Sequence, residues 1–190
     1  MFFAYILAGV LVFWLIAKHM NKQRNHEKAV EKVSGRLKKI CGKPGEVLKN
    51  ATLNLPEGKM TFDAVLMDKR GVYLVRTYGW GIKIYGTPDG AMWRREDAKR
   101  KEEFENPLFN LKKGAEEIGK IMEENGVHNL KVMPMVVFAD NYQTPELYLG
   151  YGSYSTTYQE LKSWYKKQSG VKEVQYDYDK VSSIIRGLVK

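Results

Sequence analysis

Apolar and polar positions alternate with different periods along the chain, and the period changes mark its divisions. Residues 2–17 (FFAYILAGVLVFWLIA) form an unbroken apolar run with no charge, the pattern of a helix that meets apolar surroundings on every side. Residues 18–41 are rich in helix formers. They show one narrow stripe, Val30, Val33, Leu37 and Ile40, at spacings of three and four, which predicts a helix with a single apolar face. Three surroundings suit that face: the following domain, lipid, or a second copy. Gly42-Lys43-Pro44-Gly45 then breaks the chain and is the expected domain boundary.

Beyond the break the period shortens toward two. Strands are expected over 51–55, 60–67, 72–78, 82–85 and 91–95, with Thr87-Pro88-Asp89-Gly90 as the turn between the last two. A charged loop over 96–105 leads to Asn106-Pro107, an N-cap and first-turn signal. The helix that follows buries Leu108, Leu111, Ala115, Ile118 and Met122 and ends at Asn125-Gly126. Residues 131–138 read as a buried strand, with Pro134 weakening its first half. One more strand over 147–151 and helices over 157–167 and 177–188 complete the pattern. The fold class is α/β, a mixed sheet flanked by helices over 45–190, preceded by an apolar N-terminal helix.

Length decides what that first helix is for. Its 16 apolar residues span ~24 Å as a helix, a little short of a ~30 Å hydrocarbon core. Interfacial Tyr5 and Trp14, a snorkelling Lys18 and local bilayer thinning make up the difference. A cleaved signal peptide and a buried core helix are the alternatives. The first lacks a basic residue ahead of the run and has bulky Leu15 where a small residue is wanted. The reading adopted is a single-pass transmembrane anchor over 1–18, a basic juxtamembrane helix and linker over 19–44, and a domain over 45–190. Lys18, Lys22, Arg24 and Lys28 follow the run, which places the N-terminus outside and the main domain in the cytoplasm. Residues 18–59 carry 11 Lys/Arg against 4 Asp/Glu, most of the chain's net charge of +9. Anionic lipid is the expected partner of that segment and nucleic acid the second, while an unknown protein partner is expected for the chain as a whole.

The chemistry concentrates in one hairpin. Phe62-Asp63-Ala64-Val65-Leu66 precedes the turn Asp68-Lys69-Arg70-Gly71, and Gly71-Val72-Tyr73-Leu74-Val75 follows it. A loop of two or four residues pairs positions summing to 139 and sets Asp63 opposite Arg76 on one face. A three-residue loop separates them. With Gly45-Glu46 expected to head a short helix, and with Gly86, Trp93, Asn106-Pro107 and the strand at 135–138 in the same order, residues 45–140 resemble the nuclease-related domain (NERD) family. That resemblance implies a restriction-endonuclease-like fold and metal-dependent nuclease chemistry. The family's Glu-x-Lys element falls on Arg76-Thr77-Tyr78 here, and its glutamine on Asn110.

By that resemblance the catalytic positions are Glu46, Asp63, Arg76 and Tyr78, the last two substituted, with Asn106 and Asn110 as candidate binding residues. Metal-assisted phosphodiester hydrolysis needs carboxylates converging on a hard cation and a positive group near the attacking water. Only Glu46 and Asp63 remain as metal ligands, and a guanidinium stands where the third acid belongs. The expectation is no cofactor and no cleavage, with nucleic acid or a protein partner bound at the membrane face. The alternative is a magnesium-dependent nuclease rearranged around Glu46 and Asp63, drawing on Lys59 or Lys83 and on Glu57 or Asp68. His19, His26 and His128, with the single Cys41, are too scattered for a zinc site. Gly79, Gly81 and Gly86 match no phosphate-loop spacing, and no serine elbow is present.

Overall fold

The computed structural model describes residues 2–23, 25–140, 143–168 and 176–189. Helices α1 (Phe2–Gln23) and α2 (His26–Cys41) come first, followed by strands β1 (Glu46–Leu55), β2 (Gly58–Asp68) and β3 (Gly71–Tyr78). Strands β4 (Lys83–Gly86), β5 (Met92–Glu96) and β6 (Lys101–Glu105) lead to helix α3 (Pro107–Glu124). Strands β7 (Val132–Phe138), β8 (Glu146–Leu149) and β9 (Ser155–Thr157) then precede helices α4 (Leu161–Gln168) and α5 (Tyr178–Leu188).

Two mixed sheets result, built on one plan. The larger has the order β1-β2-β3-β7-β9 and the smaller β6-β5-β4-β8. In each, three antiparallel strands formed by local turns receive parallel strands from beyond α3. Parallel pairing needs a crossover, and α3 supplies it for β3 and β7. Pro134 is tolerated inside β7 because β9 pairs only from Val136 onward, leaving no neighbour on that side to miss its N–H.

Both faces of the larger sheet are covered. On one, α3, α5 and the smaller sheet pack Leu111, Ile118, Val181, Ile185, Ile84 and Trp93 against Phe62, Val65, Met67 and Leu74. On the other, α2 and α4 pack Ala29, Val33, Leu37, Leu161 and Tyr165 against Ala64, Leu66, Tyr73 and Val75. The stripe on the second helix therefore faces the domain. Residues 29–37 supply buried side chains to that packing.

Several expectations are corrected. Glu46 heads a strand, not a short helix, because its segment pairs with β2 from Glu46↔Met67 onward. Pairing outweighs local propensity there. The charged loop contains β6, where Lys101, Glu102, Glu103 and Glu105 are exposed and Phe104 packs inward. Thr157 ends β9 rather than opening a helix.

The expected membrane-spanning helix is not met. Among the described residues, no helix is long and apolar enough to cross a membrane. In α1, side chains are described only at 5–7 and 9–16, and all of these are exposed. The side chains of Lys18 and Lys22, and Arg24 altogether, lie outside the described residues.

Candidate functional site

The site begins with a fault in the alternation of β1 and β2. Their rungs run in step from Glu46↔Met67 to Lys49↔Ala64 and again from Ala51↔Phe62 to Leu55↔Gly58. Asn50 and Asp63 make no rung between them, and Asn50 takes a left-handed φ of 50°, a conformation asparagine accepts more readily than most residues. Each strand thus spends one residue out of the pleat, and both alternations invert together. Val65 and Met67 share the α3 face with Phe62 rather than with position 64. At the fault the Asp63 carboxylate leans toward β3.

There it takes the place of a backbone partner. The rungs between β2 and β3 stop at Ala64↔Val75, and the next amide on β3, that of Thr77, donates to Asp63 Oδ2 at 2.6 Å. The two-residue turn Lys69-Arg70 sets this register, with positions summing to 139 as anticipated. Gly71 closes the turn at φ 142°, where a Cβ would lie 2.2 Å from the Lys131 carbonyl oxygen. Asp63 therefore faces Arg76 just beyond the last rung. Arg76 Nη1 lies 3.4 Å from Asp63 Oδ1, and Nη2 donates to the Thr61 carbonyl at 3.0 Å. The guanidinium ties β3 to β2 where the ladder has opened.

A third neighbour comes from the helix layer. His26, the first residue of α2, places Nε2 3.3 Å from Asp63 Oδ1. The carboxylate is 6% exposed, while His26 and Arg76 are 58% and 33% exposed. Burying a carboxylate costs several kcal/mol, roughly, unless donors replace its water. A backbone amide and a guanidinium do so here, with an imidazole beside them. Sequence reasoning dismissed His26 as one of three scattered histidines. Its position at the start of a helix, next to the capping Asn25, was the available signal.

These groups open onto a cleft of ≈ 450 Å³, lined by His26, Arg76, Tyr78, Trp80, Arg95, Glu105, Asn110 and the start of α3. Tyr78 is stacked on Phe138 and tilted against Phe104, and burial pushes its hydroxyl up to about 12. A phenol so placed stays neutral and cannot supply the positive charge of a lysine. Arg95 lies over the Trp80 ring at 4.1 Å and also pairs with Glu102. The cleft thus presents two guanidiniums, an imidazole, one exposed carboxylate and an indole.

The other expected site residues fare differently. Glu46 lies opposite Met67, four positions along β2 from Asp63, or ~13 Å. It is held by Arg186 at 2.6 Å and by Ser182 of α5. Glu46 is corrected: a strand rather than a helix carries it, away from the cleft. Asn106 lines the cleft at the start of α3 and is buried there. Its Oδ1 caps the Leu108 amide, and its Nδ2 faces the carbonyls of Thr87, Pro88 and Gly90. Asn110 does line the cleft. Glu57 pairs with Lys113 at 2.8 Å. Asp68 sits at the turn, accepting from the Tyr165 hydroxyl and the Arg70 amide.

Residues 22–139, more than half of the chain, match the sequence model of the nuclease-related domain. The chain belongs to the nuclease-related domain family. Its mixed sheets fit a nuclease-like fold. An uncharacterized protein of Bacillus anthracis is 31% identical over 126 residues, covering 64% of this chain and 58% of its own length. The chain therefore spans somewhat over half of that relative. No solved structure matches.

Divalent-metal chemistry fits these residues poorly. Among the described residues, no group of three or more His, Cys, Asp or Glu is placed to hold an ion. Asp63 already accepts from two donors, one of them a fixed cation.

Proposed function

We propose that this nuclease-related domain has exchanged metal-dependent cleavage for binding, and holds a nucleic-acid strand in the cleft between His26, Arg76 and Arg95. The observation that carries the reading is the Arg76 guanidinium on the Asp63 carboxylate. At ~4 Å and an effective dielectric of ~20, a unit pair interacts by ~4 kcal/mol. A dication beside Arg76 is therefore repelled by up to about twice that. The same guanidinium, with Arg95 beside it, suits a phosphodiester, and the half-buried indole of Trp80 offers a face to a base.

The proposal extends to location. Tyr5, Ile6, Leu7 and the residues from Val10 to Ile16 are exposed apolar side chains, far more than an aqueous surface ordinarily carries. With the basic residues of 18–59 they support an anchor in a membrane, anionic lipid at its inner surface, and the domain on the cytoplasmic side.

The test uses the full chain in detergent micelles. Labelled RNA and DNA single strands are expected to bind at low salt, with affinity falling steeply as salt rises and weakening in Arg76→Ala. Plasmid, RNA and single strands are expected to stay intact when Mg²⁺ or Mn²⁺ is added. Metal-dependent cleavage overturns the loss of activity. Absence of binding at low salt overturns the nucleic-acid reading in favour of a protein partner.

A further inference from the structure

We propose that the strand held in the cleft crosses Arg76 into a second cavity, where Glu117 reads a guanine base. This rests on the nucleic-acid reading above and deepens it by naming what the site selects. The second cavity, of ≈ 330 Å³, lies between the turn joining β1 to β2 and helix α3, and Glu57, Thr61, Lys113 and Glu117 are among its walls. That volume is within the ~300–1,000 Å³ typical of small-molecule sites. Arg76 and Asn110 line both cavities, so they form the waist of one groove. The guanidinium at the waist gives one N–H to Asp63 and one to the Thr61 carbonyl, which leaves further N–H groups for a phosphodiester. A phosphate there sets one nucleoside beside the Trp80 indole and the next in the second cavity.

Glu117 is the unusual member of that wall. It is 4% exposed, on a helix whose other buried positions are apolar or glycine. Its Oε2 accepts from the Glu57 amide at 3.1 Å, which holds the carboxylate in place. Its Oε1 is buried and has no hydrogen-bond partner among the described residues. Buried polar atoms are nearly always paired, so an exception marks a place for a ligand's donor. Lys113 stands one turn earlier on the same face of α3, with its ammonium 2.8 Å from Glu57. The cavity thus sets an acceptor and a cationic donor side by side. The Watson–Crick edge of guanine carries the matching order: N1–H and N2–H donate to the carboxylate, and O6 accepts from the ammonium. Adenine, cytosine and uracil each offer a single N–H-bearing position on that edge. Guanine alone places two neighbouring N–H groups on one carboxylate.

The full chain in detergent micelles is titrated at low salt into fluorescein-labelled oligouridine strands that carry guanosine, adenosine, cytidine or uridine at the central position. Fluorescence anisotropy reads the affinities. The guanosine strand is expected to bind ~5–150-fold tighter than the other three. Inosine, which lacks the 2-amino group, and 1-methylguanosine, which lacks N1–H, each lose most of that gain. Both are tested on the unaltered chain and so do not depend on the folding of any variant. Glu117→Gln removes the difference between the guanosine strand and the others, and an unchanged melting temperature verifies its fold. Equal affinity for the four strands, a preference for adenosine or cytidine, or a guanosine preference that survives Glu117→Gln overturns this inference alone. Absence of binding by every strand overturns the nucleic-acid function and this inference with it.

Discussion

Asp63→Ala separates a carboxylate that holds the sheet together from one kept for a metal. The change leaves the Thr77 amide, bonded at 2.6 Å in a buried position, without an acceptor, which costs ~1–3 kcal/mol. Arg76 retains its bond to the Thr61 carbonyl and, being a third exposed, loses only ~0.5–1 kcal/mol more. Relief of the carboxylate's own desolvation offsets part of this. The net expectation is a loss of ~2–3 kcal/mol. For a chain of this size that lowers the melting temperature by roughly 4–12 °C. Asp63→Asn preserves an oxygen for Thr77 and is expected to lose about half as much. Thermal unfolding followed by tryptophan fluorescence measures both, and hydrogen exchange at Thr77 reports the bond directly. A metal-binding cluster predicts the opposite sign, because removing one of several crowded carboxylates relieves repulsion. An unchanged or raised melting temperature in Asp63→Ala would refute the structural role.

Arg76→Glu places a second acid beside Asp63, so the melting temperature should fall without metal and recover with Mg²⁺ or Mn²⁺; a variant indifferent to both ions contradicts the charge argument. Glu46→Gln should cost under ~1 kcal/mol, since its partner Arg186 is 63% exposed, and should leave nucleic-acid affinity unchanged. A large loss of binding would restore Glu46 to the site. Burial raises the hydroxyls of Tyr73, Tyr78 and Tyr176 above the ordinary tyrosine value, Tyr78 to about 12. Above about pH 10 the unfolded chain releases these protons while the folded chain keeps them, so stability is level below that pH and falls as pH rises toward 12. Tyrosinate absorbance should therefore rise in two phases, the second coinciding with unfolding; a single phase with the fold intact disproves the burial.

The register of the hairpin was legible only as a choice: a loop of two or four residues pairs positions summing to 139, a loop of three does not, and the structure holds the two-residue loop. The helix at 107–124 was plain, since Asn106-Pro107 caps a strong apolar stripe. The start of β1 was not legible, because a Lys-Asn pair interrupts its alternation and its partner strand, not its own composition, makes it extended. Glu46 was assigned to the site on that account, and the arm of the sheet carries it elsewhere. His26 escaped notice for a different reason. A contact 37 positions along the chain, to Asp63, depends on how a helix lies across a sheet, and local spacing says nothing about that.

The interleaving of the two sheets reaches past the matched residues 22–139. An excised piece ending at 139 would lack β8 and β9, and so would bare one edge of β4 and one edge of β7. The β7 edge is the sequence Val-Met-Pro-Met-Val-Val-Phe, whose last five residues are buried in the whole chain, an adhesive margin once uncovered. It would also lose Leu161 and Tyr165 from one hydrophobic layer and Val181 and Ile185 from the other. Recombinant fragments should therefore run to the end of α5, because the autonomous folding unit is larger than the segment by which kinship is recognised.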